Sequence, residues 1–212
     1  PFWEGHRRGA DGVERLLTWC LELGIATVSL YVFSMENFDR PPEEVKELLN
    51  LCEERLNQVL NDRRLHEHKV RIKAIGRLDL LPQHLQELVA RVEKETAMYD
   101  QHWLNVALAY TGRSEIVDAA RRIGTQVQRG ELMPEHIDEA VVEKHLYTAY
   151  LPNPEPDLVI RTSGEERLSG FLLWQSAYSE LYFSEVYWPD FRRLDLLRAI
   201  RAYQQRARRF GK

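Results

Sequence analysis

The chain has 212 residues, of which 44% are hydrophobic and 29% charged. This excludes a disordered chain and suits one globular domain, spanning residues 1–212, with a sizeable core. A formal net charge of −4 argues against a nucleic-acid binder, which is usually basic, yet leaves room for a local basic pocket holding a small anion.

The opening Pro1-Phe2-Trp3-Glu4-Gly5-His6 reads as the middle of something, so further material is expected upstream. Asp11 to Leu23 carries Val13, Leu16, Leu17, Cys20 and Leu21 at helical spacing, and Gly24 stops it. Ala26 to Phe33 is a β-branched and aromatic run that predicts a buried strand. Pro41 and Pro42 open a helix running to about Leu60. Val70 to Ile75 is the next strand, Pro82 to roughly Met98 the next helix, and Trp103 to Tyr110 a third strand ending at Thr111-Gly112-Arg113. Helices are expected from about Ser114 and Pro134. Asp157 to Thr162 reads as a short strand, Ser169 to Tyr178 as a buried helix, Leu181 to Val186 as the last strand, and Leu194 to Phe210 as a final charged helix. The alternation predicts an α/β fold with a mostly parallel central sheet flanked by helices.

The two cysteines, Cys20 and Cys52, fall in apolar helical patterns and read as buried core thiols. They form no CxxC pair, so a zinc site of that kind is absent, and a reducing, cytoplasmic location is expected. The longest apolar stretch, Gly170 to Phe183, is interrupted by Gln175, Ser176, Ser179 and Glu180. A membrane span needs about 20 predominantly apolar residues, so any membrane contact is expected to be peripheral.

In such sheets ligands sit beyond the carboxyl ends of the strands, so the polar residues there carry the functional argument. After the first strand comes Ser34-Met35-Glu36-Asn37-Phe38-Asp39-Arg40-Pro41. It offers a hydroxyl, an amide, an aromatic ring and a guanidinium at a helix start, where anions are attracted. Helix capping with a surface salt bridge is the plainer alternative. After Ile160 comes Arg161-Thr162-Ser163-Gly164-Glu165-Glu166-Arg167-Leu168-Ser169. Guanidinium forks match phosphate oxygens, and the small residues let backbone approach a ligand. Pairing of both arginines with Glu165, Glu166 or Asp157 is the alternative, and Ser169 is placed to cap the next helix. Glu180 lies in an apolar stretch, where a carboxylate is costly unless paired or on a metal; the hard-cation choice is Mg²⁺, and an Arg partner is the alternative. His6, beside two arginines and two glycines before a helix, is a further anion-site candidate. No HExxH, nucleophile elbow, P-loop or GxGxxG is present.

These segments resemble the cis-prenyltransferase family of undecaprenyl diphosphate synthases. Ser34 to Pro41 is similar to its Ser-x-Glu-Asn-aromatic-x-Arg-Pro loop, and Leu104 to Arg113 to its Leu-Asn-…-Tyr-x-Gly-Arg strand end. Asp157 to Glu165 continues through Arg167, Ser169 and Phe171 to Gln175. Glu180-Leu181-Tyr182-Phe183, Trp188-Pro189-Asp190-Phe191 and the closing Arg209-Phe210-Gly211 complete the match, which covers nearly the whole chain in order. The resemblance implies an enzyme that adds isopentenyl diphosphate units to an allylic prenyl diphosphate such as farnesyl or geranylgeranyl diphosphate, making cis double bonds. It implies Mg²⁺ as cofactor, a homodimer, and an apolar tunnel for the growing chain. Arg161, Arg167, Leu168 and Ser169 would hold isopentenyl diphosphate, and Glu180 would bind Mg²⁺. His6, Ser34, Met35, Glu36, Phe38 and Arg40 would sit at the primer and reacting centre, with Asn37 linked to proton removal. Arg209 and Gly211 would reach the partner's site. Leucines of the Pro41–Leu60 and Pro82–Met98 helices would line the tunnel or simply form core.

The sequence also departs from the family pattern. The family's first strand and Asp-Gly-Asn-Arg-Arg loop are not in it, Phe2 stands where many relatives have an arginine, and Glu166 stands where some have a histidine. The wording of Arg161 to Arg167 is archaeal in style. The missing loop leaves a non-catalytic subunit of the same fold as an alternative, and the strand-end arginines alone would also suit an unrelated α/β phosphate binder.

Overall fold

The computed structural model describes residues 2–206, with side chains from residue 4 onward. Arg209 and Gly211 lie outside that range. In chain order the elements are α1 (Phe2–Glu22), β1 (Thr27–Ser34), α2 (Pro42–Leu60), α3 (Arg63–Glu67), β2 (Val70–Ile75), α4 (Gln83–Thr96), β3 (His102–Tyr110), α5 (Gly112–Gln128), α6 (Glu139–His145), β4 (Leu158–Arg161), β5 (Glu180–Phe183) and α7 (Arg193–Gln205). Every strand pairing among the described residues is parallel, so the α/β class expected from the alternation is the fold observed. The pairings form two sheets, one of order β1-β3-β2 and one of β4-β5. They belong to two compact units: Ile25–Pro154 with Gly170–Trp174, and Pro1–Gly24 with Glu155–Ser169 and Gln175–Lys212.

In the three-strand unit, α4 turns Leu85, Leu88, Val89 and Val92 inward, and all four are buried. Each contributes roughly 1.5–3 kcal/mol by leaving water. The same helix closes the outer edge of β2. Ile72 N–H donates to Thr96 Oγ1 at 3.1 Å, and Ala74 N–H to Glu93 Oε1 at 2.8 Å. Exposed strand edges invite pairing with other chains, and these two side chains remove the invitation. In mid-sheet Asn105 is fully buried yet satisfied: its Nδ2 donates to Ser29 Oγ at 2.7 Å, and its Oδ1 accepts from Tyr150. Toward the strand ends Ile75, Ala107, Tyr110 and Leu172 form a core cluster, on which Tyr31, Tyr147 and Phe171 pack.

The carboxyl end of this sheet is irregular. Register slips after Tyr31 and again before Ser34, so that Val32 bulges out of β1 while Ala109 is skipped in β3. Ala109 takes φ +47°, a costly conformation for a residue with a Cβ, and its carbonyl accepts Arg77 N–H at 3.1 Å. The two irregularities compensate and leave Ser34 opposite Tyr110. Bulges re-aim a strand end, and here the re-aimed residue opens the polar Ser34–Pro41 loop. Two glycines allow the close packing. A Cβ on Gly76 would lie 1.9 Å from the Leu108 carbonyl oxygen, and one on Gly112 would lie 2.8 Å from that of Gly170.

In the two-strand unit β4 and β5 carry α7 against them, and α1 packs on the Trp188–Asp190 turn. Trp188 Nε1 donates to the Gly9 carbonyl at 2.9 Å, and Arg8 pairs with Asp190 at 2.9 Å.

Several sequence expectations change. The segment around His6 does not precede a helix; it lies inside α1, which starts at Phe2. Residues 169–178 form turns, not a helix, because Ser169, Gly170 and Leu172 all have positive φ, which a right-handed helix cannot contain. The helix expected from Pro134 is a 3₁₀ turn (Pro134–His136) followed by the short α6. The helix α3 carries no periodic apolar signal. Among the described residues, no helix is long and apolar enough to cross a membrane.

Candidate functional site

The Ser34–Pro41 loop is a 3₁₀ turn, Met35–Asp39, whose polar groups largely serve each other. Ser34 N–H donates to Asn37 Oδ1 at 2.8 Å. The Asn37 amide therefore spends acceptor capacity on the loop itself and turns its NH₂ donors elsewhere. Phe38 packs edge-on against the buried Phe33, with ring centroids 4.9 Å apart. Arg40 pairs with Glu44 in the first turn of α2. Met35 is half-buried and Glu36 exposed. The capping and salt-bridge alternative thus describes how this loop is held.

Behind the loop, a hydrogen-bond chain ties together the three strand ends. Tyr31 OH donates to the Tyr110 carbonyl at 3.1 Å, and Tyr110 OH to the buried Glu115 at 2.5 Å. Glu115 also accepts Tyr147 N–H at 2.7 Å, and Tyr147 OH donates to Asp118 at 2.6 Å. Arg77, just beyond β2, grips both Asp118 oxygens at 3.0 and 2.9 Å. The Arg77 guanidinium holds the Asp118 carboxyl below the usual carboxylate range. Burial, reinforced by Glu115, pushes the Tyr110 phenol well above its ordinary value. No sequence signal singles out Glu115, Asp118 or Arg77: each is an ordinary charged residue in an amphipathic pattern, and only tertiary packing joins them.

In the two-strand unit the turn after β4 behaves differently. Ser163 has φ +74° and its N–H donates to the Val186 carbonyl at 2.9 Å; Gly164 N–H donates to that of Ser184, also at 2.9 Å. These two amides are consumed by the segment that follows β5, so the expected backbone approach to a phosphate does not use them. Arg167 pairs with Glu165 on the exposed surface. Arg161 is half-buried, and its guanidinium has no hydrogen bond or ion pair among the described residues. A partly desolvated, unpaired guanidinium is costly without an anion. Leu168 is half-buried and Ser169 exposed, and Ser169 caps no helix. His6 is half-buried on α1, the helix pinned by Trp188 and Asp190.

Glu180 begins β5. Its Oε2 accepts from Arg206 Nη1 at 2.5 Å, so the Arg partner that the sequence left open is present. Its Oε1 accepts no hydrogen bond among the described residues. Glu180 stands opposite Leu158 and Arg161 opposite Phe183, so the two candidates occupy opposite ends of the β4–β5 ladder and do not touch. Among the described residues, no three His, Cys, Asp or Glu side chains cluster as a ready-made cation cage. Mg²⁺ needs no such cage, since it binds through one or two carboxylates plus substrate phosphates and water. The open oxygen of Glu180 fits that donor pattern. Of the two cysteines expected in the core, Cys20 is buried and Cys52 half-buried; desolvation pushes the first thiol up to about 11 and the second up to about 12, which disfavours the reactive thiolate.

Among the described residues, the parallel pair β4–β5 of this α/β fold carries an unpaired guanidinium on one strand and an open carboxylate oxygen on its neighbour. The chain belongs to the undecaprenyl diphosphate synthase family, whose prenyltransferase model matches residues 1–211. It is 53% identical over 208 residues to a Methanocaldococcus jannaschii protein, covering 98% of this chain and 74% of that one. It is 54% identical over 210 residues to one from Methanopyrus kandleri, covering 99% and 77%. Both are named tritrans,polycis-undecaprenyl-diphosphate synthase, geranylgeranyl-diphosphate specific. Among solved structures, lavandulyl diphosphate synthase from Lavandula x intermedia, in complex with dimethylallyl diphosphate, superposes with a TM-score of 0.95 at 37% identity, covering all of this chain and 90% of that one. The protein is a cis-prenyltransferase.

Proposed function

We propose that the protein extends geranylgeranyl diphosphate with isopentenyl diphosphate units, in a Mg²⁺-dependent reaction, to a long cis-polyprenyl diphosphate of the undecaprenyl class. The observation that carries this reading is the half-buried, unpaired guanidinium of Arg161 at the end of β4. The primer choice is supported by the names of the archaeal relatives.

The chemistry asks three things of the chain. The allylic C1–O bond breaks and its electron pair leaves with diphosphate. The isopentenyl double bond then attacks C1, forming the new C–C bond. Finally a proton leaves the isopentenyl C2 as the new double bond forms. Arg161, with Arg167 and Ser169, would hold the isopentenyl diphosphate, because forked guanidiniums match phosphate oxygens. Leu168 would pack beside it. Glu180 would hold Mg²⁺, which when bound would neutralise charge on the leaving group. His6, Ser34, Met35, Glu36, Phe38 and Arg40 would line the primer side. Asn37 is better suited to donate its NH₂ to an oxygen of substrate than to take a proton, because an amide is a poor base and its oxygen already accepts Ser34 N–H. The released diphosphate is the stronger base. Arg209 and Gly211 would act across a homodimer in a cytoplasmic enzyme that meets the membrane only through its lipid product.

The test is incubation of the protein with Mg²⁺, labelled isopentenyl diphosphate and each allylic primer in turn, followed by sizing of the products. Long-chain product primed best by geranylgeranyl diphosphate is expected. Product formed best from dimethylallyl diphosphate would overturn the primer choice, and no product with any primer would overturn the reading as a whole.

A further inference from the structure

We propose that Arg206 competes with the divalent cation for Glu180 and so sets how much cation the protein requires. The inference rests on the reading above, in which Glu180 is the chain's carboxylate toward Mg²⁺.

Arg206 Nη1 donates to Glu180 Oε2 at 2.5 Å and to the Leu181 carbonyl at 3.1 Å. One nitrogen reaching both acceptors fixes the guanidinium over the start of β5. The surrounding structure holds it there. Tyr203, in the last turn of α7, donates its OH to Asp157 Oδ1 at 3.1 Å. The Asp157 carbonyl in turn accepts Glu180 N–H at 3.0 Å. Arg206 follows directly, its own N–H bonded to the Tyr203 carbonyl at 3.2 Å. The end of α7 is therefore anchored beside Glu180 by a contact that does not involve the Glu180 carboxylate, and Arg206 stays within reach whether or not it is paired.

One carboxylate carries one negative charge. It cannot compensate a guanidinium and a divalent cation together, and the two cations repel at this separation. Each lowers the affinity of the site for the other by the same factor. The Arg206 side chain is 49% exposed and that of Glu180 26%, so solvent screening keeps the effect modest, roughly two- to five-fold in cation affinity.

The test follows Mn²⁺ as a spin probe, through loss of the free-ion signal, in protein saturated with inorganic diphosphate and against the same titration without protein. Arg206→Gln is expected to lower the half-saturating Mn²⁺ concentration roughly two- to five-fold at low salt, and Arg206→Lys to return it toward the wild-type value. Glu180→Gln should weaken binding strongly, and adding Arg206→Gln to it should then change nothing further. If Glu180→Gln weakens binding but Arg206→Gln leaves it unchanged or weaker, competition is overturned while Glu180 remains the ligand. If Glu180→Gln has no effect, the assignment of Glu180 fails and competition fails with it.

Discussion

The Ser34–Pro41 loop and the Arg161–Ser169 turn both follow a parallel strand, yet they use their polar groups in opposite ways. In the loop the side chains are committed: Asn37 to Ser34, Arg40 to Glu44, Phe38 to Phe33. In the turn the backbone is committed, through Ser163 and Gly164, while the Arg161 side chain is left without a partner among the described residues. The first is a braced surface whose shape exists before any ligand arrives. The second presents a guanidinium that no described side chain neutralises.

This contrast can be broken from either side. The largest effect is expected at Asn37. Asn37→Asp keeps an oxygen for Ser34 N–H but loses the NH₂ donors, so kcat should fall by about 10²-fold with little change in melting temperature. Asn37→Ala should lose both kcat and loop order. Equal kcat for Asn37→Asp and wild type would remove the donor role. Next is the brace behind the loop. Asp118→Asn should cost about 1.5–3 kcal/mol at neutral pH, the range for charged hydrogen bonds. The Asp118 carboxyl is held below its unfolded value by Arg77, so its contribution is present above the ordinary aspartate pKa of about 3.9. It is lost as pH falls through the lower folded value. Urea unfolding at neutral and acidic pH should show the wild-type advantage shrinking toward the acid side. The smallest effect belongs to the turn's exposed pair. Glu165→Ala frees Arg167 from a solvent-exposed partner and should change isopentenyl diphosphate affinity by no more than about threefold.

Much of this is legible in the sequence, and what is not has physical reasons. The strands Val70–Ile75 and Trp103–Tyr110 match the observed β2 and β3 within a residue or so, because β-branched and apolar runs between turn residues leave few alternatives. Ser34, Asn37, Arg40 and Arg161 stand out because they follow strands. The paired bulges at Val32 and Ala109 leave no trace, since neither residue type signals a positive φ or a register slip. The turns over residues 169–178 read as a helix because Phe171, Leu172, Trp174 and Gln175 mimic helical spacing, and backbone strain at Ser169 and Leu172 is a tertiary outcome. Arg206 is one arginine among several in a charged helix, and its contact with Glu180 depends on where α7 ends.

The proposal stands or falls with Arg161, whose guanidinium has no partner among the described residues and is proposed to hold a diphosphate. Calorimetric titration of isopentenyl diphosphate into wild type and Arg161→Ala, with melting temperatures of both without ligand, tests it directly. Affinity should fall by about 10²-fold in the variant, equivalent to about 3 kcal/mol, at an unchanged or slightly raised melting temperature. Unchanged affinity, or a large drop in melting temperature without ligand, would show that Arg161 serves the fold and not the substrate.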